Sequence, residues 1–156
     1  MADITQKITP NLWFDGNAKE AVQFYLSVFP NSTMNGTSYY PDSADEGLAD
    51  FQLNLAGKEL TIDFELEGMR FTAINAGPEF KFNESVSFMI SCQDQEEIDY
   101  YWEKLSAIPE SEQCGWLKDK YGLSWQVVPV NMDELMQRPD AFKHLMDMHK
   151  LIIADF

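Results

Sequence analysis

The sequence predicts an α+β fold of two βαβββ modules followed by a C-terminal helical tail. Three observations predict it. A capped, amphipathic helix pattern occurs twice, 77 residues apart. Each half ends in a glycine followed by an alternating strand, Gly68-Met69-Arg70-Phe71-Thr72 and Gly122-Leu123-Ser124-Trp125-Gln126. From Met132 onward the apolar spacing turns helical.

The chain justifies this element by element. Residues 8–14 (Ile8-Thr9-Pro10-Asn11-Leu12-Trp13-Phe14) are β-branched and aromatic, and Pro10 argues for a strand start or an edge. Asp15-Gly16 turns the chain. Asn17 is the expected N-cap of the first helix, with Glu20 as its capping-box partner and Ala21, Phe24, Tyr25 and Val28 as its apolar stripe. Pro30-Asn31 stops it. Residues 34–40 read as a strand and 41–47 as an acidic, mobile loop. Residues 48–55 fit either a short helix or an alternating strand. Gly57 at a helix C-terminus tips the reading to helix, and the structure of 42–58 stays open at this level. Residues 60–66 alternate cleanly, Glu67-Gly68 turns, and 69–75 returns as a strand broken by Ala76-Gly77-Pro78.

The second half repeats the order. Residues 85–91 form a strand, Asp94 caps a helix with Glu97 as partner, and Ile98, Tyr101, Trp102 and Leu105 are its stripe. Residues 113–129 read as a hairpin turning at Asp119, Lys120 and Gly122 and ending at Pro129. In the tail, Met132, Leu135 and Met136, then Phe142, Leu145, Met146 and Met148, are helically spaced around a break at Pro139. The expected organisation is a single domain with modules at about 5–80 and 81–130 and a tail at 131–156.

Composition narrows the function classes. Apolar residues make up 45% and aromatics 13%, which is enough for a real core. The formal net charge of −15 argues against nucleic acid and anionic membranes as partners. No apolar run is long enough to span a bilayer, and Met1-Ala2-Asp3-Ile4 carries no secretory pattern. Cys92 and Cys114 lack metal or redox spacing and read as reduced, strand-packing thiols of a cytoplasmic protein. His144 and His149 are five residues apart, where a helical metal site wants three or four.

Four separated motifs then carry a resemblance: Trp13-Phe14-Asp15-Gly16-Asn17-Ala18, Gly77-Pro78-Glu79-Phe80-Lys81-Phe82-Asn83-Glu84, Tyr100-Tyr101-Trp102-Glu103-Lys104-Leu105 and the run from Cys114 to Pro129. Together they resemble the PhnB-like family, also labelled the 3-demethylubiquinone-9 3-methyltransferase domain family. That family belongs to the glyoxalase/bleomycin-resistance/dioxygenase group, the vicinal oxygen chelate superfamily. The resemblance implies that each βαβββ module rolls its sheet into a half-cup around a ligand site. It also implies a homodimer. Two features depart from the pattern: Glu79 stands where relatives often have His, and residues 48–58 resemble an insertion.

In metal-dependent members of that superfamily, four cup positions hold an ion, one on the first and one on the last strand of each module. Carried over, they fall on Pro10, Thr72, Ser87 and Gln126. Proline offers no side-chain donor, neutral hydroxyls are poor ligands for a first-row metal, and only Gln126 is a familiar ligand type. No catalytic metal and no cofactor are therefore expected. The methyltransferase label also finds no support, because the chain has no glycine-rich strand-to-helix turn to hold S-adenosylmethionine.

Thr72, Ser87 and Gln126 remain as candidates for binding a ligand in the cup. Gln126 is expected on its inner face beside Ser124 and Val128, with Trp125 and Val127 turned toward the second helix. Arg70 shares the strand face of Thr72 and is a candidate for a bidentate contact to an anion, against the plainer role of a surface arginine near a turn. Asn75 either hydrogen-bonds the turn that follows it or lines the cup mouth. Trp13, Trp116 and Trp125 are expected in the core. The reading that follows is a metal-free protein that binds an unidentified small molecule in the cup between modules. The alternatives are a metal-dependent enzyme of the glyoxalase or dioxygenase type and a dimer with a filled, inert cup.

Overall fold

The structure, a computed structural model, describes residues 6–156. The expected module start near residue 5 and the Met1–Ile4 segment lie outside the described residues. The chain divides into two compact units, one ending at Lys81 and one running from Phe82 to Phe156.

The first unit follows the expected βαβββ order: β1 (Asn11–Asp15), α1 (Ala18–Val28), β2 (Ser32–Tyr39), β3 (Glu59–Leu66) and β4 (Met69–Ala76). The sheet order is β1-β4-β3-β2, with β1 parallel to β4 and the other pairs antiparallel. Alternation sorts the faces. Leu12 and Phe14, Ile62, Phe64 and Leu66, and Phe71 and Ala73 are buried, and α1 lays Ala18, Ala21, Val22, Tyr25 and Val28 on that side. Tyr25 stacks on Phe64 with ring centroids 6.4 Å apart, and Phe64 on Phe71 at 5.4 Å. The opposite, open face carries Trp13, Thr61, Asp63, Glu65, Thr72 and Ile74, all half-buried. Glu67 (φ 49°) and Gly68 (φ 80°) close the β3–β4 hairpin with positive φ at both positions, the two-residue turn whose twist suits paired strands.

Residues 41–58 fold as two 3-10 turns, Ala44–Glu46 and Asp50–Leu55. The helical reading of 48–55 therefore holds in a tighter form. Tyr40, Leu48 and Leu55 form a small core of their own beneath this segment. Its base is pinned where Tyr40 N–H donates to the Lys58 carbonyl at 2.9 Å and Gly57 N–H to the Pro41 carbonyl at 3.1 Å.

The second unit contains β5 (Ser87–Cys92), α2 (Gln95–Leu105), β6 (Trp116–Lys118) and β7 (Ser124–Pro129). The sheet order is β5-β7-β6, with β5 parallel to β7. Among the described residues it has one strand fewer than the first unit. The chain between α2 and β6 is short and polar, with a 3-10 turn at Pro109–Ser111 and a single bridge from Gln113 to Trp116. Pro109 lacks the amide a ladder would use there and sits at the start of that turn. Cys114, expected in a strand, instead sits in a turn at φ 52°. Its N–H and that of Gly115 donate to the carbonyls of Met148 and His149, each at 2.8 Å.

Those bonds tie the tail into this unit. The tail comprises α3 (Met132–Leu135), α4 (Ala141–Met146) and a 3-10 turn at Ile153–Asp155. Leu135, Ala141, Met148, Leu151 and Phe156 pack together with Val128 of β7. The expected stripe on α4 is rotated: Ala141 points inward while Phe142 is 67% exposed. The two expected helix caps also differ. Asp94 Oδ1 accepts from Glu97 N–H at 2.9 Å, as predicted. Asn17 makes no side-chain cap bond, and the acceptor for Ala18 N–H is Asn75 Oδ1 at 3.1 Å, brought in by β4.

Candidate ligand site

The four cup positions meet in pairs, one pair in each unit. In the first unit, Thr72 N–H donates to the Pro10 carbonyl at 3.0 Å across the parallel β1–β4 pair. The Thr72 hydroxyl donates to Asp63 Oδ1 at 2.7 Å. Asp63 was not singled out from the sequence, yet the signal was there. A two-residue turn at Glu67-Gly68 places Asp63 directly opposite Thr72. In the second unit, Gln126 Nε2 donates to Ser87 Oγ at 2.9 Å. Ser124, two residues before Gln126 on β7, is buried, and its hydroxyl has no hydrogen-bond partner among the described residues. As expected, Trp125 and Val127 are buried on the other face of this strand from Gln126, on the side where α2 packs.

The donor set does not fit a catalytic metal. Pro10 contributes only backbone, and the Thr72 and Ser87 hydroxyls are engaged with Asp63 and Gln126. Among the described residues, no three His, Cys, Asp or Glu side chains cluster to hold an ion. His149 Nδ1 lies 3.7 Å from Glu112, and His144 is exposed on α4.

Arg70 is exposed at the turn end of β4, on the same face as Thr72, and its backbone is clasped by Gln6. Asn75 is neither a turn residue nor a cup residue. Its side chain is buried on the helix side, bonding Ala18 N–H and the Glu59 carbonyl. Its own carbonyl accepts from the Tyr40 hydroxyl at 2.6 Å. The alternation of β4 explains the difference, because Asn75 is odd-numbered like the buried Phe71 and Ala73.

A concave feature of the first unit lies farther along the open face. A cavity of about 290 Å³ has Leu55, Leu60, Ile74 and Ala76 among its apolar lining. Trp13, Tyr40 and Phe51 supply aromatic surface, and Gln52, Asn54 and Glu79 supply polar groups. Trp13 therefore lines the cavity rather than the core. Its indole N–H donates to the Gly77 carbonyl at 2.9 Å, and its ring meets Phe80 edge-on at 4.8 Å. Burial, and then the negative charge of Glu79, push the Tyr40 phenol above its usual range. Sequence reasoning missed this site because one wall is a 3-10 turn and another the chain that leaves β4. Residues 51–55 and 76–79 come together only through tertiary folding.

Residues 6–128 match the 3-demethylubiquinone-9 3-methyltransferase family over most of the chain. The chain belongs to that PhnB-like family. A PhnB protein from Bacillus cereus bearing the same methyltransferase name is 34% identical, with a TM-score of 0.61 over 80% of this chain and 99% of that one. A Pseudomonas aeruginosa protein is 18% identical (TM-score 0.56, covering 80% and 98%). The fosfomycin resistance protein FosX from Listeria monocytogenes is 14% identical (TM-score 0.51, covering 88% and 100%). The last two share the fold alone. No curated protein matches the chain. The PhnB-like chain thus has the glyoxalase-type α+β fold that its motifs imply. Among the described residues, no helix is long and apolar enough to cross a membrane.

Proposed function

We propose that this PhnB-like protein binds a small organic molecule, without a metal, in the cavity beside Trp13 and Phe51. The observation that carries the reading is the cavity itself. It is concave, mainly apolar and aromatic, with a few convergent polar groups, the make-up of small-molecule sites. Its volume of about 290 Å³ suits a compact ligand. Thr72 and Arg70 extend the same face of β4 and offer further polar contacts to a longer molecule. In the second unit, the half-buried Ser87 and Gln126 form a further polar pair.

The family's methyltransferase name does not carry over as an activity in this reading. The chain has no Gly-x-Gly turn, and its sheets are two small mixed ones rather than a doubly wound parallel sheet. A thermal-shift screen of small organic compounds, run with and without EDTA, tests the proposal. Ligands of the cavity raise the melting temperature in both conditions and do so less for Phe51→Ala, a residue that is 77% exposed. Stabilisation that disappears with EDTA and returns with Mn²⁺ would favour the metal-dependent alternative. No stabilising compound at all would favour an inert cup.

A further inference from the structure

The cavity's lining has one sign of charge. Among the described residues, Glu79 is its only carboxylate, and no Lys or Arg lines it. Its aromatic surface comes from Trp13, Tyr40 and Phe51. From this we infer that the ligand is an organic cation, an amine or quaternary ammonium group on a compact apolar body, held by Glu79 and the aromatic rings. The inference rests on the proposed function and specifies its ligand class.

Three observations support it. Aromatic faces attract a desolvated cation, with Trp the strongest, while an anion would meet their negative quadrupoles and Glu79 together. The Glu79 carboxylate is folded back over Gly77. A Cβ built on Gly77 would lie 2.7 Å from Oε2 and 2.9 Å from Oε1, so the missing side chain is what lets the carboxylate lie there. The charge also acts on the cavity wall, since it adds to burial in raising the Tyr40 phenol. Beyond the site, 26 acidic against 11 basic residues give the whole molecule a field that draws cations in.

Three probes of one shape separate the possibilities: choline, its uncharged isostere 3,3-dimethyl-1-butanol and the anionic 3,3-dimethylbutanoate. Each is titrated into the full chain while the Trp13 indole N–H resonance, assigned with Trp13→Phe, is followed by NMR. Choline is expected to shift that resonance saturably, at concentrations about tenfold lower than the alcohol requires. Butanoate is expected to leave it unmoved. Glu79→Gln should weaken choline about fivefold or more and leave the alcohol unchanged. Gly77→Ala, which displaces only the end of a flexible side chain, should do the same while the circular dichroism spectrum stays that of the wild type. Equal affinity for choline and the alcohol, tighter binding of butanoate, or indifference to Glu79→Gln overturns the cation assignment and leaves the cavity as a binding site. A Trp13 resonance that none of the probes moves overturns both.

Discussion

The carboxylate of Asp119 is fully buried. Its Oδ1 accepts from Tyr121 N–H at 2.8 Å and Leu123 N–H at 3.1 Å, and its Oδ2 from the Trp125 indole N–H at 2.9 Å. In the sequence it looks like an ordinary turn aspartate. Nothing in its neighbours reveals that the turn folds inward over Trp125. Asp119→Ala leaves those donors buried and unpaired, and a loss of about 3 kcal/mol is expected in urea unfolding. Asp119→Asn keeps the shape but swaps one acceptor for a donor, and about 2 kcal/mol is expected. A loss under about 1 kcal/mol for the alanine variant would mean that the turn opens to water instead. Cys92 makes a second residue-scale case. Burial first, then the charges of Glu97 and Asp94, push its thiol from 9.0 up to about 12. Because the folded pKa lies above the unfolded one, this contribution is intact below about pH 9 and is lost as pH rises toward 12. Stability should then fall by about 1.4 kcal/mol per pH unit more steeply in the wild type than in Cys92→Ala. Parallel pH profiles for the two proteins would refute the coupling.

The two helices show how far local sequence reaches. α1 (Ala18–Val28) and α2 (Gln95–Leu105) have the same length and lie 77 residues apart, as the repeated cap pattern predicts. The patterns look alike, but the bonds behind them differ. Asp94 caps its own helix, whereas the first helix receives its cap from Asn75, 57 residues further along the chain. Local pattern marks where a helix begins. Which oxygen meets its first amides depends on what the sheet brings alongside. Asp94→Ala should therefore cost about 1 kcal/mol and Asn17→Ala only a few tenths, while Asn75→Ala should cost about 2 kcal/mol because it unpairs a buried amide and a carbonyl together. Equal losses at Asp94 and Asn17 in chemical denaturation would show that Asn17 caps in solution after all. The strand missing from the second unit has a similar lesson. Repetition of the helix suggested repetition of all that follows it, but between α2 and β6 the chain makes a 3-10 turn at Pro109–Ser111 where the first unit has the strand β2.

For the whole molecule, the repeat, the two glycine turns and the helical tail made the fold class readable, because period and turn chemistry are local properties that survive folding unchanged. The pairing of Ser87 with Gln126 was likewise within reach, since β5 ends at the cap of α2 and β7 begins after a turn. The cavity was not, because it needs residues 51–55 to close over Ile74 and Ala76. Net charge is the remaining global property, and it also predicts behaviour. At −15 the folded chain repels itself. Surface ion pairs such as Lys150 with Asp99 at 2.7 Å add little against that. Salt screens repulsion over a Debye length that shortens from about 30 Å at 0.01 M to about 8 Å at 0.15 M. The melting temperature at pH 7 should therefore rise by several degrees between about 10 and 150 mM NaCl, and then level off. Near pH 4.5, where carboxylates approach half protonation, the same addition of salt should do much less. Screening requires that contrast. A rise of equal size at both pH values would point to exclusion of salt from the surface, and a fall at pH 7 would mean that attractive pairs outweigh the excess of acid.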